Sequence, residues 1–264
     1  MTCDNSRTIG KCLKQAQKLA KEVIVIDYGS EDLTLGIAEK YTSDVYRMPW
    51  TGAFRMKNQA VSMCKNSWIL HICPDEILSN SLIKEIKKFF KEGKSSLFSA
   101  TRFSRKFYLG EQHIRWGGFY PDYQLRLFKK DNYRFKGYAL DESAEIWDES
   151  SELYVTNSPK VHTFKSSFDY VPYIDFEAME NFYHVSAKSS YTKMSHLRAS
   201  LESSFRFLMK YIIQLGLLDG NLGYKIAKLE SDSVWLQYES YLEDVAAEEE
   251  SNKTSIRSKK VKVA

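Results

Sequence analysis

What the sequence has little of narrows it first. Only four cysteines occur in 264 residues: Cys3, Cys12, Cys64 and Cys73. None stands in a CxxC pair and no paired-histidine motif accompanies them. That argues against a zinc site and a disulfide framework, and favours a reducing compartment. The five histidines (His71, His113, His162, His184 and His196) keep no metal-ligand spacing and read as structural or surface residues. Long apolar runs are also missing. The most apolar late stretch, Phe205 to Leu218, is too short to span a bilayer and carries Arg206 and Lys210. No signal peptide opens the sequence. The net charge of +4 is too mild to argue for a nucleic-acid partner. These absences set the expectation of a cytoplasmic protein with, at most, a peripheral membrane contact.

What is present is an ordinary folded composition, 43% hydrophobic and 27% charged, with an excess of aromatics at 14%. That excess supplies either an aromatic core or a surface that stacks on sugars or bases. Charge is uneven at the end of the chain. Glu248, Glu249 and Glu250 precede Lys253, Arg257, Lys259, Lys260 and Lys262. Such a segment reads as a solvated, disordered tail over 246–264, with contact to anionic lipid as the alternative.

Periodicity organises the rest. Asn5 or Ser6 is placed to cap a helix whose apolar positions Ile9, Cys12, Leu13, Ala16 and Leu19 share one face. Val23 to Asp27 is a continuous β-branched run, as in a strand buried on both faces of a parallel sheet. Ser30 is placed to cap a second helix, DVYRM reads as a short strand, Phe54 to Cys64 as a third helix, and WILHIC as another strand. A helix is expected from about Ser81 to Lys91. SSLFSATRF and YQLRLF alternate like strands around a Gly- and aromatic-rich loop, and helices follow from about Asp175. The pattern is an α/β nucleotide-binding half-sheet over 1–150, a helical extension over 151–245 and the tail.

Three stretches carry candidate chemistry. In D27-Y-G-S-E-D32, Asp27 ends a strand, Gly29 permits a tight turn and Ser30 opens a helix, so the turn either binds a nucleotide or simply joins strand to helix. Asp75 and Glu76 follow the second strand, where they either ligate a hard divalent cation or complement the next helix. In R115-W-G-G-F-Y-P-D122, Gly117 and Gly118 allow close backbone approach, and Trp116, Phe119 and Tyr120 offer flat faces to sugar rings. Asp122 is a candidate general base there, the alternative being a tight turn with core aromatics.

Taken together these motifs resemble glycosyltransferase family 2, in the subgroup of lipopolysaccharide core glucosyltransferases. The resemblance rests on I26-D-Y-G-S-E-D32-L-T34, P49-W-T-G52-A-F-R-M-K57-N-Q-A60, I72-C-P-D75-E76, G117-G-F-Y-P-D-Y-Q-L-R-L-F128, A139-L-D-E142-S143 and Y211-I-I-Q-L-G-L-L-D-G220. It implies a GT-A fold (Rossmann-like) and inverting transfer of a sugar from a nucleotide-diphosphate donor to a lipid-linked or lipopolysaccharide-core saccharide, in a bacterial cytoplasm or at the inner face of its membrane. By resemblance, Asp27 meets the nucleobase, with Gly29 and Ser30 beside it. Lys57 and Asn58 line the nucleotide site, and Asp75 holds Mg²⁺ or Mn²⁺. Asp122 or Glu142 takes the acceptor's proton, while Trp116, Gly117, Gly118 and Tyr120 face the acceptor sugar. The sequence departs from the family pattern at Cys73, where an Asp is expected, and at Asp141, where a His is expected and which becomes a helper metal ligand. The family's first strand is expected to be lacking, and it would lie between the VIVID and WILHIC strands. A non-catalytic relative that only binds nucleotide sugar or a partner is the alternative reading.

Overall fold

Helix α1 (Ile9–Ala16) turns Ile9, Cys12, Leu13 and Ala16 inward at the spacing the sequence shows. It starts later than Asn5 because that side chain is engaged elsewhere, accepting bonds from the Thr2 hydroxyl and the Cys3 N–H. The computed structural model describes residues 1–135, 146–147, 161–170, 179–180, 183 and 193–261 of the chain, with side chains at all of these but 146–147 and 247–261. Strand β1 (Val25–Asp27) pairs in parallel with β2 (Val45–Arg47), in the register Val25 to Val45. Between them lies the short α2 (Thr34–Ala38). Ser30 does not cap it. Asp32 does that work, its carboxylate accepting from the Thr34 N–H (2.8 Å) and the Ser6 N–H (3.0 Å), bonds that hold the acid well below its usual pKa.

Helix α3 (Ala53–Met63) leads into β3 (Trp68–Leu70), and β4 (Glu76–Leu78) into α4 (Asn80–Lys91). Ser79 caps α4 by accepting from the Leu82 N–H (3.1 Å), so Asp75 and Glu76 are free of that task. Then come β5 (Ala100–Leu109), β6 (Gln112–Ile114), β7 (Asp122–Lys129), the β8–β9 pair (Arg134–Phe135 with Ile146–Trp147), β10 (Val161–Thr163) and β11 (Phe168–Tyr170). The large sheet runs β3-β7-β5-β11-β4, with β6 and β10 also on β5. Neighbours along β7 face opposite ways, as period two demands. Leu127 joins Leu82, Ile86 and Phe89 of α4, while Phe128 meets Phe54 and Val61 of α3 on the other face. Each fully buried apolar side chain of α4 contributes roughly 1.5–3 kcal/mol.

β3 pairs antiparallel with β7 and does not join β1, so among the described residues the sheet is in two pieces. One expectation changes here: β10 and β11 fall in the segment assigned to the helical extension yet pair with β5 and β4 in the first compact unit.

Of the described residues, the second unit holds 114–119, 179–180, 183 and 193–261. Helix α5 (His196–Leu208) is capped by Ser195 and continues into a π-turn at Met209–Ile213 and a 3₁₀ turn at Gly216–Asp219. Helix α6 (Gly220–Val261) packs Val234 against Ala199 and Met194. It carries on through most of the segment expected as a disordered tail, since no Gly or Pro interrupts the sequence after Gly223. Among the described residues no helix is long and apolar enough to cross a membrane.

Candidate active site

The carboxyl end of β1 is built around Asp27, which has no exposed surface. Its carboxylate accepts from the backbone N–H groups of Gly29 and Ser30 (both 3.2 Å) and from the Ser30 hydroxyl, and Arg47 Nε lies 3.7 Å away. Sequence reasoning gave Asp27, Gly29 and Ser30 to the donor nucleotide. In the structure their polar atoms bond one another, because a βα turn leaves free N–H groups within reach of its own strand-end acid. What the same edge does expose is an aromatic pair that the motif reading passed over. The rings of Tyr28 and Trp50 lie 4.8 Å apart, and Trp50 is 45% exposed. The signal in the sequence was an aromatic close after each of the first two strands, Tyr28 directly after β1 and Trp50 three residues beyond β2.

A second cluster gathers where β3 ends and β4 begins. Glu76, fully buried, accepts from Arg126 Nη2 at 2.6 Å and from the Cys73 N–H at 2.9 Å. His71 Nδ1 lies 3.0 Å from Arg126 Nη1, and burial followed by the Arg126 charge holds this ring neutral, with its pKa well below 6.5. Burial also raises the Cys73 thiol, so a neutral SH stands where the family pattern has a carboxylate. Lys57 sits over the Phe135 ring (5.3 Å), its pKa lowered by burial first. The Asn58 amide is engaged by the protein itself. Both ends of its amide clamp the Phe135 backbone, at 2.7 and 2.9 Å.

Asp75 differs from its neighbour. Its Oδ1 is buried with no hydrogen-bond partner among the described residues, and burial, then the Glu76 charge, raises its pKa. Arg105 acts on both this acid and Asp122. Its positive charge acts on Asp75, while its Nε donates to Asp122 Oδ2 at 2.7 Å. Gln124 Nε2 donates to the other Asp122 oxygen at 2.8 Å. The Arg105 guanidinium also covers the Tyr170 ring (4.5 Å), whose hydroxyl is pushed up to about 12 by burial and then by Asp75. Arg105, Arg126 and Tyr170 were missed by sequence reasoning. Arg126 stands between Leu125 and Leu127, and that oddity was the available signal, whereas Arg105 sits in a strand of mixed polarity that singles out none of its residues.

No three His, Cys, Asp or Glu side chains among the described residues stand close enough to share a metal ion. The unbonded Asp75 oxygen suits one position of a hard cation, which commonly takes one or two carboxylates and completes its shell with phosphate and water. Asp141 and Glu142, expected as helper ligand and alternative base, lie outside the described residues.

In the second unit the glycine-rich loop is held by its own partners. Asp219 accepts from the backbone N–H groups of Arg115 (3.1 Å) and Trp116 (2.8 Å), and the Gly117 N–H donates to the Gln214 carbonyl (2.8 Å). Gly117 and Gly118 have φ of 66° and 85°, and a Cβ on Gly118 would sit 2.6 Å from Gln214 Oε1. At Gly118 the missing Cβ leaves room for the Gln214 side chain. Trp116 remains 39% exposed. In the first unit, the Tyr120 hydroxyl lies 3.4 Å from Ser104 Oγ and its ring packs edge-on to His113.

Residues 2–143 match the family model described as Glycosyl transferase family 2. The chain belongs to glycosyltransferase family 2. It is similar to an uncharacterized glycosyltransferase of Rickettsia conorii, 38% identical over 90 residues, which are 34% of this chain and 32% of that protein. An uncharacterized glycosyltransferase of Rickettsia bellii is 39% identical over 90 residues, 34% of this chain and 31% of that protein. The matched part thus spans about a third of these relatives. Among solved structures, S. aureus TarS 1-349 aligns over 92% of this chain and 90% of its own, at 15% identity and a TM-score of 0.42. The observed α/β architecture is that of the family 2 GT-A domain with a helical carboxyl-terminal region.

Proposed function

We propose that this family 2 protein is an inverting glycosyltransferase, moving a sugar from a nucleoside diphosphate to a hydroxyl of a lipid-linked saccharide such as a lipopolysaccharide core. The observation that carries the reading is the Asp75 carboxylate, with one oxygen unbonded, acted on by the charge of Arg105, whose guanidinium bonds Asp122. In this scheme the acceptor oxygen forms a bond to the anomeric carbon as the bond from that carbon to the diphosphate breaks. The hydroxyl proton passes to Asp122, or to Glu142. Arg105 fixes the Asp122 carboxylate in one orientation, and Arg126 and Lys57 add positive charge that favours the departing diphosphate. Asp75 would hold Mg²⁺ or Mn²⁺, which when bound neutralises diphosphate charge. The Tyr28–Trp50 pair offers a stacking face to the nucleobase, and Trp116 and Tyr120 offer faces to sugar.

Lipid attachment of the acceptor is supported by the second unit. Leu197, Leu201, Phe205, Leu208 and Ile212 recur at helical spacing and are all exposed, with Arg198 and Lys210 on the same elements. An apolar stripe edged by cations suits the headgroup boundary of an anionic membrane.

The second reading, a relative that binds nucleotide sugar without transferring it, is favoured by the neutral Cys73 thiol. Release of nucleoside diphosphate from uridine and guanosine diphosphate sugars, with Mg²⁺ and short lipid-linked acceptors, separates the two. Turnover abolished in both Asp122→Asn and Glu142→Gln single variants, or in either one, supports transfer. Donor binding without turnover in the unsubstituted protein supports the second reading.

A further inference from the structure

The stretch Y211-I-I-Q-L-G-L-L-D-G220 takes no part in the transfer chemistry, yet its backbone is the most unusual in the second unit. The helical course of α5 gives way in turn to a π-turn at Met209–Ile213, to Leu215 in the left-handed region (φ 60°) and to a 3₁₀ turn at Gly216–Asp219. A π-turn and a non-glycine residue at positive φ both cost energy, and such features gather at functional sites.

What this backbone holds is the loop from Arg115 to Phe119. Asp219 Oδ2 alone accepts from both the Arg115 N–H (3.1 Å) and the Trp116 N–H (2.8 Å), and its charge strengthens both bonds. The Gln214 carbonyl, directly before the strained Leu215, accepts from the Gly117 N–H (2.8 Å). Just ahead of this stretch, the Lys210 ammonium lies 5.3 Å from the centre of the Phe119 ring and 3.2 Å from Glu230 of α6. The backbone of Trp116 is thus fixed on both sides, while its side chain stays 39% exposed. Burying that ring would gain more from the hydrophobic effect. A ring held open on a fixed backbone has little freedom left to lose when a ligand stacks on it.

We propose that Asp219 is a positioning residue for the acceptor: through the Arg115 and Trp116 amides it fixes the Trp116 ring in the orientation that stacks on the saccharide. Asp219 touches no sugar in this role and acts only through the loop. The inference rests on the reading of Trp116 as a sugar-facing ring, and on neither the cation, the donor nor the base. Because one oxygen serves both amides, Asn can do the same work with its single carbonyl oxygen, whereas Ala cannot.

The test compares the full chain with Asp219→Ala, Asp219→Ser and Asp219→Asn. The probe is octyl glucoside below its micelle concentration, followed by the tryptophan fluorescence change that Trp116→Ala removes. Asp219→Ala is expected to weaken that binding roughly 10-fold and to speed hydrogen exchange at the Arg115 and Trp116 amides. Tm should move by no more than a few degrees, with donor affinity unchanged. Asp219→Asn should restore both binding and protection, and Asp219→Ser, with one short acceptor, should fall between. Amides that stay protected in the Ala and Ser variants overturn the proposal. Faster exchange with undiminished binding overturns it too, as does an Asn variant no better than Ala. No fluorescence response, or one that Trp116→Ala leaves intact, also overturns it, while the transferase reading is judged separately by release of nucleoside diphosphate.

Discussion

Arg105 on β5 and Asp122 on β7 are directly opposed across the sheet, and the guanidinium Nε donates to the carboxylate at 2.7 Å. Each side chain keeps about a third of its surface in solvent, 27% and 30%, so the pair adds on the order of 1 kcal/mol or less to stability. Its value is orientation. Arg105→Ala is expected to change Tm by no more than a few degrees while lowering kcat roughly 10- to 100-fold, with donor affinity much less affected. Equal loss in kcat and in fold stability would show that the pair is only structural.

Asp75 gives a prediction with a definite pH sign. Its folded pKa is raised by burial and by Glu76, so between the ordinary Asp pKa and the raised one the folded state holds more protons than the unfolded state. Stability is therefore lost as pH rises through the raised pKa. Asp75→Asn removes that loss and is expected to be more stable than the unsubstituted protein at pH 7, with the difference vanishing near pH 3. Urea denaturation at the two pH values checks this, and an Asn variant less stable at pH 7 contradicts it.

Gly118→Ala should destabilise the second unit by about 1–3 kcal/mol, because φ of 85° strains any L side chain and the new Cβ meets Gln214 Oε1. Gln214→Ala in the same chain should recover part of the loss and leave the backbone strain. Thermal unfolding of the single and double variants measures both parts, and full recovery would assign the glycine to crowding alone.

How far the sequence could be read depended on whether the cause was local. The apolar face of α4, the β1–β2 pair and the strand β7 follow from periodicity in a few residues. The caps did not, since Asn5 and Ser30 are good capping types whose side chains found other partners in Thr2 and Asp27. The same holds at the site. Asp75 and Asp122 could be singled out as acids at strand ends, but Arg105, which bonds Asp122 and whose charge acts on Asp75, could not. Asn58 could not be seen to clamp Phe135, a partner 77 positions away, and nothing local announces that Phe168–Tyr170 closes on β4.

The exposed stripe on α5 makes a prediction for lipid. Liposome flotation should carry the folded protein up with anionic vesicles at low salt, with retention weakened by added salt and by Ile212→Asp. A folded protein that stays with the soluble fraction at low salt contradicts a membrane role for the stripe.

Donor binding at Asp75 is the centre of the account, and calorimetric titration with a uridine or guanosine diphosphate sugar tests it most directly. The expected result is binding heat that needs Mg²⁺ or Mn²⁺, is lost in Asp75→Ala, and strengthens in Cys73→Asp as a carboxylate replaces the neutral thiol. Equal binding with and without the cation, unchanged by Asp75→Ala, would contradict it.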